Sequence, residues 1–318
     1  MSARNGAWQF CQAFEGRGFI KPKLDGRMDW QMNLMIFGAG FSGLAIARAL
    51  AGEFGYAGGT TRSEVRFAEL GAAGLSPFIY EGGQPSPQLQ QALSQTTHLV
   101  MSIAPDTSGD PLLDAFADGL GEIMPQLEWI GYLSTVGVYG DHGGDWVDET
   151  TPCRPVSKRS VARLGAEEGW ARLADRTRVP LAIARLSGIY GPGRNALKTL
   201  EQGKARRLIK PGQVFNRIHV DDIGGAVSLL ANKRLGGIYN VTDDLPAPPQ
   251  DVVEFAARLI GVEPPPETDF ETAELSPMAR SFYGENKRVS NARVKQAGYQ
   301  FIHPDYAAGL EALWRARL

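Results

Sequence analysis

Gly38-Ala-Gly40-Phe41-Ser42-Gly43 lies between an apolar run, Met32 to Phe37, and a helical pattern through Leu44, Ala47 and Leu50. Each glycine answers a different demand. Gly38 allows a tight turn, Gly40 lets main-chain amides approach a pyrophosphate, and Gly43 permits close packing of helix on strand. The N–H groups around Phe41 and Ser42, together with the positive end of the helix dipole, are suited to hold phosphates. The chemistry on offer is dinucleotide binding, and the flanking strand and helix give the glycine spacing its weight.

The next strand is expected to end near residue 60. A carboxylate there would bind the 2′-hydroxyl of NAD. The chain instead reads Gly58-Gly-Thr-Thr61-Arg62-Ser63, which offers hydroxyls and a guanidinium but no acid. That set suits a 2′-phosphate, which arginine grips bidentately, so NADP is favoured over NAD. The bland alternative is that Arg62 is a solvated loop cation. Ala104, at the end of a later apolar run, stands where a cofactor ribose would pass.

These residues need a scaffold to bring them together. Apolar runs at 32–37, up to about residue 60, and at 75–83, 97–105, 128–140 and 180–193 alternate with helical stretches. That alternation predicts an α/β fold with a doubly wound parallel sheet. Ligands of such sheets sit at the carboxyl ends of the strands, where Ser134, Thr135 and Tyr139 fall. Residues 32–185 read as the dinucleotide-binding domain, and 186–318 mainly as a smaller substrate lobe with segments returning to the core. Residues 1–31 read as an N-terminal extension or a start assigned too early, with Met32 or Met35 as the alternative.

Composition sets limits. Of 318 residues, 43% are apolar and 21% charged, with a net charge of -2, which fits a globular protein and gives no basic surplus for nucleic acid. No apolar run is long enough to suggest a membrane span. Cys11 and Cys153 have no metal-type spacing, and no metal site is read. A cytoplasmic location and a small-molecule substrate are expected, with a homodimer as the quaternary option.

Five stretches in order carry a resemblance: "FGAGFSG", "LSTVGVYG" (133–140), "ARLSGIYGPG" (184–193), "NRIHVDDIG" (216–224) and "GIYNVTDD" (237–244). With them, residues 33–318 resemble the extended short-chain dehydrogenases/reductases, in particular an atypical branch of NAD-dependent epimerase/dehydratase-like proteins. The resemblance implies a Rossmann-type fold and makes Thr135, four residues before Tyr139, a group that polarises the substrate. It implies that Ser134 lines the cofactor pocket. It also leads one to expect Tyr-x-x-x-Lys about twenty residues later.

The chain departs from that pattern. Pro155, Ser157 and Glu167 match, but Arg159 occupies the tyrosine position and Arg163 the lysine position. Arginine stays protonated in proteins, so Arg159 cannot be a general base. It can stabilise a developing alkoxide or anchor an anion, and Arg163 can take over ribose contacts. A plain helix surface, with Arg163 paired to Glu167, weighs evenly against this. A proton donor would then come from Tyr139 first, Tyr190 second or His219 third. The expected activity is an NAD(P)-dependent oxidoreductase or epimerase acting on a sugar-like or anionic alcohol or carbonyl compound. The rival is an NADPH-binding sensor without turnover. The basic stretch 198–212 favours an anionic ligand or is a solvated charge run, and Asn286, Lys287 and Arg288 are placed facing the ligand.

Overall fold

The computed structural model describes residues 32–106, 109–116 and 119–317; residues 1–31 lie outside that set. Seven strands build the central sheet: β1 (Met32–Phe37), β2 (Phe54–Thr61), β3 (Ser76–Ile79), β4 (His98–Met101), β5 (Trp129–Thr135), β6 (Leu181–Leu186) and, after three short strands, Gly237–Val241. Two of the short strands, β7 (Gly188–Tyr190) and β8 (Arg217–His219), pair with each other, and Gly237–Val241 is β9. The order across the sheet is β9-β6-β5-β4-β1-β2-β3, and every pairing is parallel. The order reverses between β1 and β4, which opens a crevice at their carboxyl ends.

The sheet is buried on both faces, and strand periodicity sorts its side chains. Leu34 and Ile36 of β1, with Ala182, Ala184 and Leu186 of β6, join one core. Met35 and Phe37, with Leu181 and Ile183, join the other. Alternate residues of one strand point to opposite faces, so continuous apolar runs are what a doubly covered sheet requires. The first face is covered by α1 (Phe41–Ala49) and, later in the chain, Val220–Asn232. The second is covered by shorter helices and by α2 (Lys158–Thr177), which buries Trp170 and Leu173; Val220–Asn232 is then α3.

The run at 180–193 forms two strands rather than the single one its composition suggests. β6 ends at Leu186, and from Gly188 the main chain leaves the sheet to bond Asn216. Beyond residue 186 the chain also builds separate small cores, one around Leu197, Val252, Ala256 and Leu310, another around Leu208, Phe270 and Tyr283. Among the described residues, no helix is long and apolar enough to cross a membrane.

Candidate functional site

The glycine turn sits at the reversal of strand order. Gly38 has φ +81°, and a Cβ there would stand 2.9 Å from Ile103 Cγ1 and 3.1 Å from its main-chain nitrogen, so a side chain is excluded twice over. Gly43 is held by packing: its missing Cβ would meet Ile36 Cγ2 at 3.1 Å. Gly40 differs from both. A Cβ there would meet nothing nearer than Gly38 O at 3.8 Å, so the space above it is open. Gly40 is also the N-cap of α1 and has no side chain to cap it, which leaves the first amides of the helix, around Phe41 and Ser42, facing that space. An open cradle under uncapped amides fits a pyrophosphate.

Thr60 locks the turn to β2: its Oγ1 accepts from Gly38 N at 2.9 Å and its carbonyl from Ala39 N at 2.8 Å. Thr61 is buried, and its hydroxyl accepts from Ser63 N at 3.3 Å, while Arg62 and Ser63 are exposed at the carboxyl end of β2. Among the described residues no ion pair or hydrogen bond engages the Arg62 side chain. Ala104 is exposed just past β4, whose exit is fixed by Ser102 N bonding Phe37 O at 2.8 Å.

The catalytic candidates divide by depth along α2. Ser157 caps the helix, accepting from Ser160 N at 3.1 Å. Arg159 is exposed, Arg163 is half-buried and Glu167 is fully buried, so their common face dives into the protein. The expected Arg163–Glu167 surface pair does not form. Arg163 donates to Leu133 O and lies over the Tyr132 ring, 5.7 Å from its centroid. Glu167 pairs with Arg185 Nη2 at 2.7 Å, both side chains having no exposure, and accepts a hydrogen bond from Ser134. Ser134, expected to line the cofactor pocket, is therefore buried and turned toward this ion pair.

Tyr139, expected as the first proton donor, joins the same buried network. It is fully buried, its hydroxyl donates to Asn240 Oδ1 at 2.8 Å, and its ring lies 4.8 Å from the Arg185 guanidinium. Burial pushes its phenol far above the usual range, with Arg185 only partly opposing. Tyr190 is buried as well, its hydroxyl donating to Asp305 O at 3.3 Å, and burial raises its pKa too. Asn286 bonds Val214 N and Gly212 O. Lys287 bonds Gly140 O at 2.7 Å and pairs with Glu285, and Arg288 bonds Gly144 O. These three side chains brace one loop against another rather than facing an open site. The basic stretch is also partly neutralised, since Arg207 pairs with Glu254 at 2.7 Å and Glu267 at 2.9 Å.

Thr135 remains at the end of β5, half-buried, accepting from Gly137 N at 3.1 Å. A Cβ on Gly137 would stand 2.8 Å from Ser160 Oγ and 3.4 Å from Thr135 Oγ1, so the two hydroxyls flank one point. Ser157 donates to Ser160 Oγ at 2.9 Å, which leaves the Ser160 proton free to be donated onward. Ser187, directly after the Leu186 that pairs with Thr135, is buried with its hydroxyl unpartnered among the described residues. Sequence reading passed over Ser160, Ser187 and the Arg185–Glu167 pair. The one available signal was a cation inside the apolar run Leu181-Ala-Ile-Ala-Arg-Leu186. A charge is rarely buried unless it is paired.

Comparison with known proteins matches this architecture. Residues 126–242 match the model of the NAD dependent epimerase/dehydratase family. A conserved protein of unknown function from Silicibacter pomeroyi is 46% identical, with 89% of this chain and 98% of that one covered and a TM-score of 0.82. Protein YeeZ of Escherichia coli (strain K12) is 29% identical over 85% of this chain and 96% of its own length. A 3-diazoavenalumate denitrifying reductase from Streptomyces sp is 28% identical over 52% of this chain and 55% of its own. With its parallel sheet and the glycine cradle at the point of strand reversal, the chain belongs to the NAD-dependent epimerase/dehydratase family.

Proposed function

We propose that the protein is an NADPH-preferring oxidoreductase or epimerase acting on a small, sugar-like or anionic alcohol or carbonyl compound, without a tyrosine proton donor. The observation that carries the reading is an intact dinucleotide cradle beside a rebuilt catalytic helix. Gly38, Gly40, Gly43 and the amides at the start of α1 would hold the pyrophosphate. Arg62 and Ser63 would take the 2′-phosphate, and Ala104 would border the ribose. When bound, the cofactor supplies or accepts a hydride.

The chain's own residues would manage the proton. Thr135 and Ser160 present hydroxyls to one point, and the exposed Ser157 links Ser160 to solvent through a 2.9 Å bond. Arg159, exposed and next to Ser160 on α2, is a permanent cation suited to an anionic group or a developing alkoxide. Arg163 holds β5 to α2 through Leu133 and gives this corner a second fixed positive charge. The similarity to a reductase supports hydride transfer. The sensor reading, binding without turnover, is favoured by one specific observation: the deeper of the two arginines is already occupied by protein groups.

Titration of NADPH and NADH into the wild type and Arg62→Ala tests the cofactor assignment. The expected result is a preference for NADPH that falls about tenfold or more in the variant, as removal of a charge-assisted bidentate contact implies. An unchanged ratio refutes the role of Arg62. Steady consumption of NADPH with a panel of carbonyl compounds separates enzyme from sensor.

A further inference from the structure

The chain has four histidines, and two of them, His219 and His303, are brought together from distant parts of the sequence. Their ring centroids lie 4.0 Å apart, and both side chains are buried. A dedicated carboxylate makes this happen. Asp222, with no exposure, accepts from Tyr299 Oη at 2.8 Å, Ile302 N at 2.7 Å and His303 N at 3.0 Å, which pins the C-terminal turn onto the start of α3. His219 closes β8 and caps α3, its Nδ1 accepting from Asp221 N at 3.2 Å.

Hydrogen bonding does not explain the pair. The Nε2 of His219 is buried and has no partner among the described residues, and its Nδ1 has only a main-chain amide. At 3.2 Å that amide bond is at the long end of its class, so a stronger ligand can displace it from Nδ1. Asp221, about half exposed, completes a cluster in which one ligand atom from each of His219, Asp221 and His303 lies within 4.8 Å of the other two. The His219 Nδ1 to Asp221 Oδ2 edge is 3.6 Å.

We propose that His219, Asp221 and His303 form a binding site for a dication of the zinc type. Two imidazoles and one carboxylate suit Zn²⁺, Co²⁺ or Ni²⁺ better than Mg²⁺ or Ca²⁺, which prefer all-oxygen shells. Bond lengths of about 2.0–2.1 Å in a tetrahedral site set donors roughly 3.4 Å apart. The His219–Asp221 edge already nears that value, and the other edges, all within 4.8 Å, would contract on binding, the exposed Asp221 side chain moving most freely. A metal on His219 Nδ1 would take over the lone pair that now accepts from Asp221 N at 3.2 Å, so binding replaces that amide bond and leaves the ring hydrogen on Nε2. The solvent side of Asp221 leaves a fourth position for water.

A metal here would fasten the C-terminal turn to α3. It would also stiffen the cofactor loop, because the missing Cβ of Gly191 would stand 2.7 Å from Val220 Cγ1 and 3.1 Å from Phe41 Cζ. Val220, next to His219, and Phe41 of the glycine turn thus share one contact point.

The test uses the full chain without an affinity tag, dialysed against chelator. Co²⁺ is titrated with visible absorption as the readout, Zn²⁺ by calorimetry, and the unfolding temperature is followed with each. One equivalent of metal per chain, a Co²⁺ d–d band and a raised unfolding temperature are expected. Asp221→Ala and His303→Ala are each expected to weaken binding at least about tenfold, since loss of even an outer-shell partner costs about 10–100-fold. Asp221→Ala keeps the amide that bonds His219, so it decides the matter even if His303→Ala fails to fold. No saturable binding in the wild type, or wild-type affinity in Asp221→Ala, overturns the site. Cofactor plays no part in these readouts, so failure here leaves the hydride-transfer reading standing.

Discussion

The two halves of the candidate site are built on different principles. At β1 and β2 the determinants are main-chain: glycines that clear space, amides that point into it, and Thr60 clamping the turn through one hydroxyl and one carbonyl. At β5, β6 and α2 the determinants are side chains. Arg185, Glu167, Ser134, Tyr139 and Asn240 form one buried polar chain. A main-chain cradle tolerates change in everything except its glycines. A side-chain network is free to exchange members, and α2 beside it carries Arg159 and Arg163 where the family resemblance leads one to expect tyrosine and lysine.

The largest expected effect falls in the side-chain half. Glu167→Ala leaves the unexposed Arg185 guanidinium without its carboxylate, and breaking a buried pair from one side costs about 3–5 kcal/mol. Chemical denaturation should record the loss, and a cost below about 1 kcal/mol would mean that the pair is not the anchor its burial implies. Within the glycine turn the contrast is one of kind. Gly38→Ala, at φ +81° and against Ile103, should destabilise the fold, whereas Gly40→Val should leave the unfolding midpoint nearly unchanged.

A pH titration of stability probes the far edge of the site. Asp243 is almost fully buried, and burial, partly opposed by Arg217, raises its carboxyl to about 8. The folded state then binds a proton that the unfolded state releases above about pH 4, so stability falls as pH rises from about 4 to 8 and levels off beyond. Asp243→Asn should flatten that slope, and an unchanged slope assigns it to other groups. The smallest effect on stability belongs to Arg159→Ala. Exposed substitutions of this sort stay within about 0.5 kcal/mol, while turnover, if Arg159 serves the substrate, should fall about tenfold or more with cofactor affinity kept.

Much of this contrast follows from what a sequence can carry. The sheet was legible because strands buried on both faces must be continuously apolar, and the cradle because glycine spacing is local. The break at Ser187 was hidden, since Gly188 to Tyr190 is as strand-like as the run before it. Tyr139 and Ser134 looked like pocket residues because strand ends predict proximity to a ligand but not which way a side chain turns. Glu167 fitted the resemblance, yet its partner Arg185 comes from β6, and no helical spacing could name it. The meeting of His219 with His303 depends on Asp222 folding the C-terminal turn inward, a tertiary event without a spacing rule.

The central claim is that the cradle binds a dinucleotide through the space above Gly40, independently of the rebuilt catalytic helix. Titration of NADPH into the wild type and Gly40→Val, at matched unfolding midpoints, tests it most directly. The account predicts saturable binding in the wild type and at least about a hundredfold loss in the variant, because the valine side chain would occupy the volume that the pyrophosphate needs. Equal affinity in the two proteins would contradict it.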